Sequence, residues 1–223
     1  MKTKYKAAIF DLDGTLLDTS PGILQAVDET IRLQGLRQLT PAELKTFIGP
    51  PCKASFKEKY GLDDQRAGEL SDFYRDLYKE PERLTQATPY PGVFDLLHRL
   101  KDAGIRLSVA TYKREDCAVN LLKHFGFDAY FSYIYGSDPE STLTKPEIIQ
   151  KCLRDMGVTD YAEAVMVGDS FFDALGAKDL GIDFLGLTCG FGFQTEADIQ
   201  EYPNVGWGHL PMDLLPCFFK DNA

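Results

Sequence analysis

The stretch Ala7-Ala8-Ile9-Phe10-Asp11-Leu12-Asp13-Gly14-Thr15 decides how the rest of the chain is read. A short apolar run that meets an acidic, glycine-containing turn reads as a buried strand and its exit. Similar runs recur at Ile105 to Ala110, Tyr130 to Tyr135, Ala164 to Val167 and Phe184 to Leu187. Amphipathic segments lie between them. Val93, Leu96, Leu97 and Leu100 follow the i, i+3, i+4, i+7 rule of a helix that ends on Lys101-Asp102-Ala103-Gly104. Further helices are predicted over Cys117 to Phe125, Pro146 to Met156 and Phe172 to Leu180, the last two closed by Gly157 and Gly181. Strands alternating with helices predict a parallel sheet wound by right-handed crossovers, an α/β fold.

One segment breaks the alternation. From about Ser20 to Thr88 the chain reads as helices throughout, with Ser20-Pro21 and Thr40-Pro41 as helix starts and further helices over Lys53 to Tyr60 and Arg66 to Tyr78. This stretch carries a charge of -1 out of the net -10 of the 223-residue chain, so the remainder carries -9. Such a shift marks an inserted helical module, residues 18–88, inside a core made of residues 1–17 and 89–223. Leu17 to Thr19 and Thr88 to Gly92 are the expected connections.

The composition, 44% hydrophobic and 26% charged, is that of a globular protein with a substantial core. The excess of 34 Asp and Glu over 24 Lys and Arg gives no electrostatic footprint for nucleic acid. The five cysteines, Cys52, Cys117, Cys152, Cys189 and Cys217, form no CxxC pair and fit reduced thiols and a cytoplasmic setting. No apolar stretch is long enough to span a membrane, and the run from Ala7 to Phe10 is too short for a signal peptide.

The acidic residues carry the chemistry. Asp11 and Asp13 directly follow the first strand, and Asp169 and Asp173, in Gly168-Asp169-Ser170-Phe171-Phe172-Asp173, directly follow a later one. In an open α/β sheet, ligands bind in the crevice beyond the carboxyl ends of the strands, so these carboxylates are expected in one cleft. Crowded there, they raise one another's pKa values unless a cation neutralises them. Oxygen-only ligands without nearby His or Cys suit Mg²⁺. A phosphate-bearing substrate would be held by the metal, by a Lys and by hydroxyl or backbone N–H donors, for which Lys145, before Pro146 at a helix start, and Thr111, at a strand end, are candidates.

Taken together, these motifs resemble those of the haloacid dehalogenase-like superfamily of phosphatases. The DxDGTLxD pattern is matched by Asp11, Asp13, Gly14, Thr15, Leu16 and Asp18, the strand-end Thr by Thr111, the Lys of the third motif by Lys145, and GDSxxD by Asp169 and Asp173. Within it, Gly49-Pro50-Pro51, Tyr135-Gly136-Ser137 and Leu187-Thr188-Cys189-Gly190-Phe191-Gly192 are similar to the phosphoglycolate phosphatase-like group. The resemblance implies a Rossmann-like core with an all-helical cap inserted after the first motif. It also implies Mg²⁺-dependent hydrolysis of a small phosphorylated metabolite. Asp11 would be the nucleophile that becomes an aspartyl phosphate, and Asp13 the acid and base, with a pKa above that of Asp11. Asp11, the backbone carbonyl of Asp13 and Asp169 would ligate Mg²⁺, with Asp173 completing the acidic site by orienting Lys145 or a metal-bound water. Lys145 and Thr111 would offset charge on the phosphoryl oxygens.

Gly14 and Thr15 are expected to form a turn whose N–H groups approach the phosphate. Tyr112 and Lys113 follow Thr111 and are placed at the substrate. Many relatives carry Asn at the position of Tyr112, so an amide hydrogen bond to substrate would be lost there. In the cap, Lys53 and Lys57 share a helix face, and Lys53 is the candidate contact for an anionic substrate. A 5′-nucleotidase and a sugar phosphomutase are the alternatives within the superfamily. A catalytically silent domain binding a phospho-ligand or a partner protein is the alternative outside enzymes, and a monomer or homodimer is expected.

Overall fold

The computed structural model describes residues 2–140 and 142–220; Met1, Ser141 and residues 221–223 of the expected core lie outside the described residues. The chain divides into two compact units, residues 1–17 with 89–223, and residues 18–88. It passes between them through two short strands, Leu17–Asp18 and Thr88–Pro89, which pair with each other.

The first unit is built on a parallel sheet of strands β1 (Ala7–Phe10), β2 (Arg106–Arg114), β3 (Tyr133–Ser137), β4 (Ala164–Gly168), β5 (Asp183–Leu187) and β6 (Trp207–Gly208). Their spatial order is 3-2-1-4-5-6 and all neighbours are parallel. This is the Rossmann-like order, in which the chain builds outward on one side of β1 and then returns to build outward on the other. Every residue of β1 and β4 is buried, as expected for central strands covered on both faces. Their registers pair Phe10 with Val167, so the residues that follow each strand emerge side by side.

Helices α1 (Val93–Asp102), α2 (Glu115–His124), α3 (Lys145–Asp155) and α4 (Phe171–Leu180) join the strands. Their apolar stripes supply the core. Val93, Leu96, Leu97 and Leu100 of α1 are all buried, each contributing roughly 1.5–3 kcal/mol of transfer free energy. Ile148, Ile149, Cys152 and Leu153 of α3 pack with Ala7, Ile9 and Met166 of the central strands, which fixes the start of α3 above the carboxyl ends of β1 and β4. Gly157 and Gly181, at the ends of α3 and α4, have the positive φ of helix-terminating glycines.

The second unit is helical throughout: Ser20–Leu33, Pro41–Lys45, Cys52–Tyr60, Asp64–Tyr78 and Pro81–Leu84. Asp18 accepts hydrogen bonds from the backbone and hydroxyl of Ser20 and so starts the first helix. Thr40 and Glu43 form a reciprocal capping box on the second. Phe56 packs edge-on against Phe47 in its interior. Among the described residues, no helix is long and apolar enough to cross a membrane.

Two strands depart most from the sequence expectation, and two short elements have no counterpart in it. Strand β2 runs to Arg114 instead of ending at Ala110; Thr111 is still buried, and burial becomes partial from Tyr112 and Lys113 onward. Strand β3 covers Tyr133–Ser137 instead of 130–135, because residues Phe127–Ala129 form a 3₁₀ turn and Phe131 packs against Phe10 and Phe127. The two-residue β6 and the 3₁₀ segment Pro211–Phe218 carry too little periodicity to be read from sequence.

Candidate active site

Asp11 is the first residue beyond β1, and its backbone N–H donates to Val167 O of β4 at 2.9 Å. That bond places it at the point where the strand order reverses, beside Asp169, the first residue beyond β4. Carboxylate oxygens of Asp11, Asp169 and Asp173 lie within 4.8 Å of one another, and all three residues are buried. Lys145, the first residue of α3, is 2% exposed. Its ammonium bridges Asp11 Oδ1 at 2.9 Å and Asp173 Oδ1 at 2.7 Å.

Each carboxylate is held differently. Asp169 Oδ2 accepts the N–H groups of Phe191 and Gly192 at 2.7 and 3.1 Å, and Oδ1 accepts the hydroxyl of Thr15 at 3.2 Å. Glycine is required around it. A Cβ on Gly14, whose φ is +83°, would lie 2.3 Å from Asp169 Oδ2, and one on Gly190 would lie 2.3 Å from the same oxygen and 2.4 Å from Gly14 O. In the sequence, Gly190-Phe191-Gly192 stands out only by its likeness to a group of relatives; its physical function, two N–H donors to a carboxylate, depends on tertiary placement. Asp173 Oδ2 accepts from the backbone and hydroxyl of Ser170, closing a capping box at the start of α4. With Oδ1 on Lys145, both oxygens of Asp173 are engaged.

Burial pushes the Asp11 carboxyl well above the usual carboxylate range; Lys145 opposes the rise, and the charges of Asp173 and Asp169 add to it. Asp169 is pushed up to about 6, again by burial first and then by Asp173, against the pull of its Phe191, Gly192 and Thr15 hydrogen bonds. Crowding thus contributes to the rise of Asp11 and Asp169, but desolvation is the larger cause. Burial lowers the Lys145 ammonium, and the facing Asp11 and Asp173 more than reverse this, leaving its pKa raised.

Asp13 stands 13% exposed at its side chain, and its Oδ1 pairs with Lys113 Nζ at 3.0 Å. This contact spans the turn after β1 and the extension of β2, and nothing in the local sequence announces it. The Thr111 side chain is buried and accepts the Lys113 N–H at 3.1 Å. Tyr112 directs its hydroxyl to the Lys145 backbone N–H, which donates at 3.0 Å. The N–H groups of Gly14 and Thr15, expected to approach a phosphate, close the turn internally, donating to Leu17 O and Leu12 O at 2.9 and 3.3 Å. Their demonstrable work in this structure is to make room for Asp169 and to hydrogen-bond it. Lys53 lies half-buried in the helix Cys52–Tyr60 of the second unit. Lys57, one turn on, pairs with Asp64 at 2.7 Å.

The donor set fits a hard divalent cation. Three carboxylates facing one ammonium leave two excess negative charges when ionised, and the cluster contains only oxygen ligands.

A family model described as haloacid dehalogenase-like hydrolase matches residues 8–187, and the chain belongs to that family. It is 36% identical over 194 residues to a 5′-nucleotidase of Pseudomonas aeruginosa, covering 86% of this chain and 87% of the relative. It is 33% identical to a phosphoglycolate phosphatase of Agrobacterium fabrum, covering 89% and 86% of the two chains. Among solved structures, the haloacid dehalogenase-like hydrolase SP0104 of Streptococcus pneumoniae superposes with a TM-score of 0.86 at 33% identity, covering 96% of this chain and 98% of that one.

Proposed function

We propose that this protein is a Mg²⁺-dependent phosphomonoesterase for a small phosphorylated metabolite, acting through an aspartyl phosphate on Asp11. The observation that carries this reading is the buried Asp11 at the switch point of the sheet, 2.9 Å from the Lys145 ammonium and beside Asp169. An uncompensated nucleophile in that position would repel a phosphate dianion. Lys145 supplies one balancing positive charge. Asp11, the backbone carbonyl of Asp13 and Asp169 would hold Mg²⁺, which when bound keeps Asp11 ionised and offsets phosphoryl charge. Asp173, engaged on both oxygens, orients Lys145.

In the first half-reaction an Asp11 carboxylate oxygen forms a bond to phosphorus as the ester P–O bond breaks. The leaving alkoxide takes a proton from Asp13. In the second, water attacks phosphorus, Asp13 takes its proton, and the acyl-phosphate bond breaks to release phosphate and restore Asp11. Lys113, paired with Asp13, keeps that side chain at the mouth of the site, and Thr111 and Lys145 stand at the phosphoryl oxygens. The helical unit, residues 18–88, acts as a cap that closes over substrate and excludes water, with Lys53 meeting its anionic group. Support for this role comes from its independence as a compact unit joined through two short strands.

The substrate proposed is phosphoglycolate or a similarly small phosphate ester, in line with the Agrobacterium relative. A nucleoside monophosphate is the second reading, favoured by the Pseudomonas relative. The free cysteines are consistent with a cytoplasmic enzyme. A screen of about a hundred phosphorylated metabolites with and without Mg²⁺, coupled to acid-quench trapping of phosphoenzyme, tests the proposal. Phosphate release that requires Mg²⁺ and an acid-stable, hydroxylamine-labile adduct absent from Asp11→Asn is expected. Turnover by Asp11→Asn at the parent rate would overturn it.

A further inference from the structure

Tyr112 follows Thr111 on the far end of β2, and its side chain is engaged by the protein itself. Its hydroxyl accepts the Lys145 N–H at 3.0 Å, its ring centroid lies 5.5 Å from the Lys145 ammonium, and Phe172 at the start of α4 braces the ring edge-on at 5.3 Å. The first turn of a helix presents N–H groups with no partner inside the helix. In α3 the position after Lys145 is Pro146, which has no N–H, and the Thr144 N–H and hydroxyl are bound by the Glu147 carboxylate at 2.7 Å each. The Lys145 N–H is taken by Tyr112. One aromatic side chain thus ties the end of β2 to the start of α3 and lies within cation–π reach of the ammonium that bridges Asp11 and Asp173.

We propose that Tyr112 is a positioning residue for Lys145, fixing the helix start and the ammonium that serves the phosphoryl group, and that it does not bind substrate directly. This assignment rests on the role given to Lys145 above. Tyr112→Phe removes only the hydroxyl acceptor and keeps the ring against Phe172. Loss of one positioning hydrogen bond is expected to lower kcat about fivefold to tenfold, with KM unchanged within about twofold and by the same factor for aryl phosphates of low and high leaving-group pKa.

A double-mutant cycle separates the outcomes. In a Lys145→Ala background, Tyr112→Phe should change kcat by less than about twofold, because the ammonium it positions is gone. An equal loss in both backgrounds, or a loss confined to KM or varying with the leaving group, would assign Tyr112 to substrate or to general stability and overturn the proposal. Thermal melting of each variant shows whether the fold is retained. Lys145→Ala by itself reports on the underlying mechanism: full activity there would remove the reading of Lys145, whereas a large loss there combined with an inert Tyr112→Phe would remove only the inference about Tyr112.

Discussion

The two units of this chain differ in what they do with buried charge. In the helical unit, ionised groups pair at the surface, as in Lys57–Asp64, Arg66–Glu69 and Lys79–Asp76. Such pairs are screened by water and stabilise little. In the sheet unit, Asp11, Asp169, Asp173 and Lys145 are withdrawn from solvent together, where unbalanced charge is costly and shifts protonation instead. A fold that tolerates buried charge of one excess sign has a use for it. On the function proposed here, the chemistry belongs to the sheet unit and the helical unit governs access to it.

The comparison is tested most severely by Asp11→Asn. It keeps the shape of the site and removes the nucleophile, so turnover should fall by at least about 10⁴-fold with melting behaviour retained; a smaller loss would show that the buried cluster is not where the reaction occurs. Gly190→Ala comes next. The added methyl would collide with Asp169 Oδ2 and the Gly14 carbonyl, and displacement of that carboxylate should weaken Mg²⁺ binding about 10- to 100-fold, measurable by calorimetry. Unchanged affinity would mean that Asp169 has no part in holding the cation.

The raised carboxylates give a pH signature. Without Mg²⁺ the folded protein keeps protons on Asp11 and Asp169 to higher pH than the unfolded chain does, so these groups cost stability as pH rises from about 4 through their folded values. Mg²⁺ binds the ionised forms. At about 100 times its Kd it should raise Tm by about 5–10 °C near pH 8, and by less than half as much near pH 5. A larger shift at the acidic end would reverse the assigned sign. In the helical unit the effects should be smaller and kinetic: Lys53→Ala is expected to raise KM about threefold to tenfold with kcat nearly unchanged. A fall in kcat with constant KM would place Lys53 among groups acting on the transition state.

Much of this contrast is legible in the sequence. The central strands are buried on both faces, so Ala7 to Phe10 and Ala164 to Val167 stand out as unbroken apolar runs. Asp11, Asp169 and Lys145 sit at the ends of elements whose packing determines where they meet. Local patterns say much less about contacts across the fold. The pairing of Lys113 with Asp13, the Tyr112 hydroxyl on the Lys145 N–H and the two N–H groups of Phe191 and Gly192 on Asp169 each depend on how far one strand or loop extends past its neighbour. Strand β2 runs four residues beyond its expected end at Ala110, and residues in that extension make the first two of these contacts.

The proposed chemistry requires that the buried carboxylates hold a divalent cation during turnover. The most direct measurement is a Mg²⁺ titration of chelator-stripped protein, with heat of binding and phosphatase turnover recorded on the same samples. One saturable site is expected, with occupancy and activity rising together and both lost in Asp169→Asn. Full activity in stripped protein, or a binding isotherm unchanged by Asp169→Asn, would contradict it.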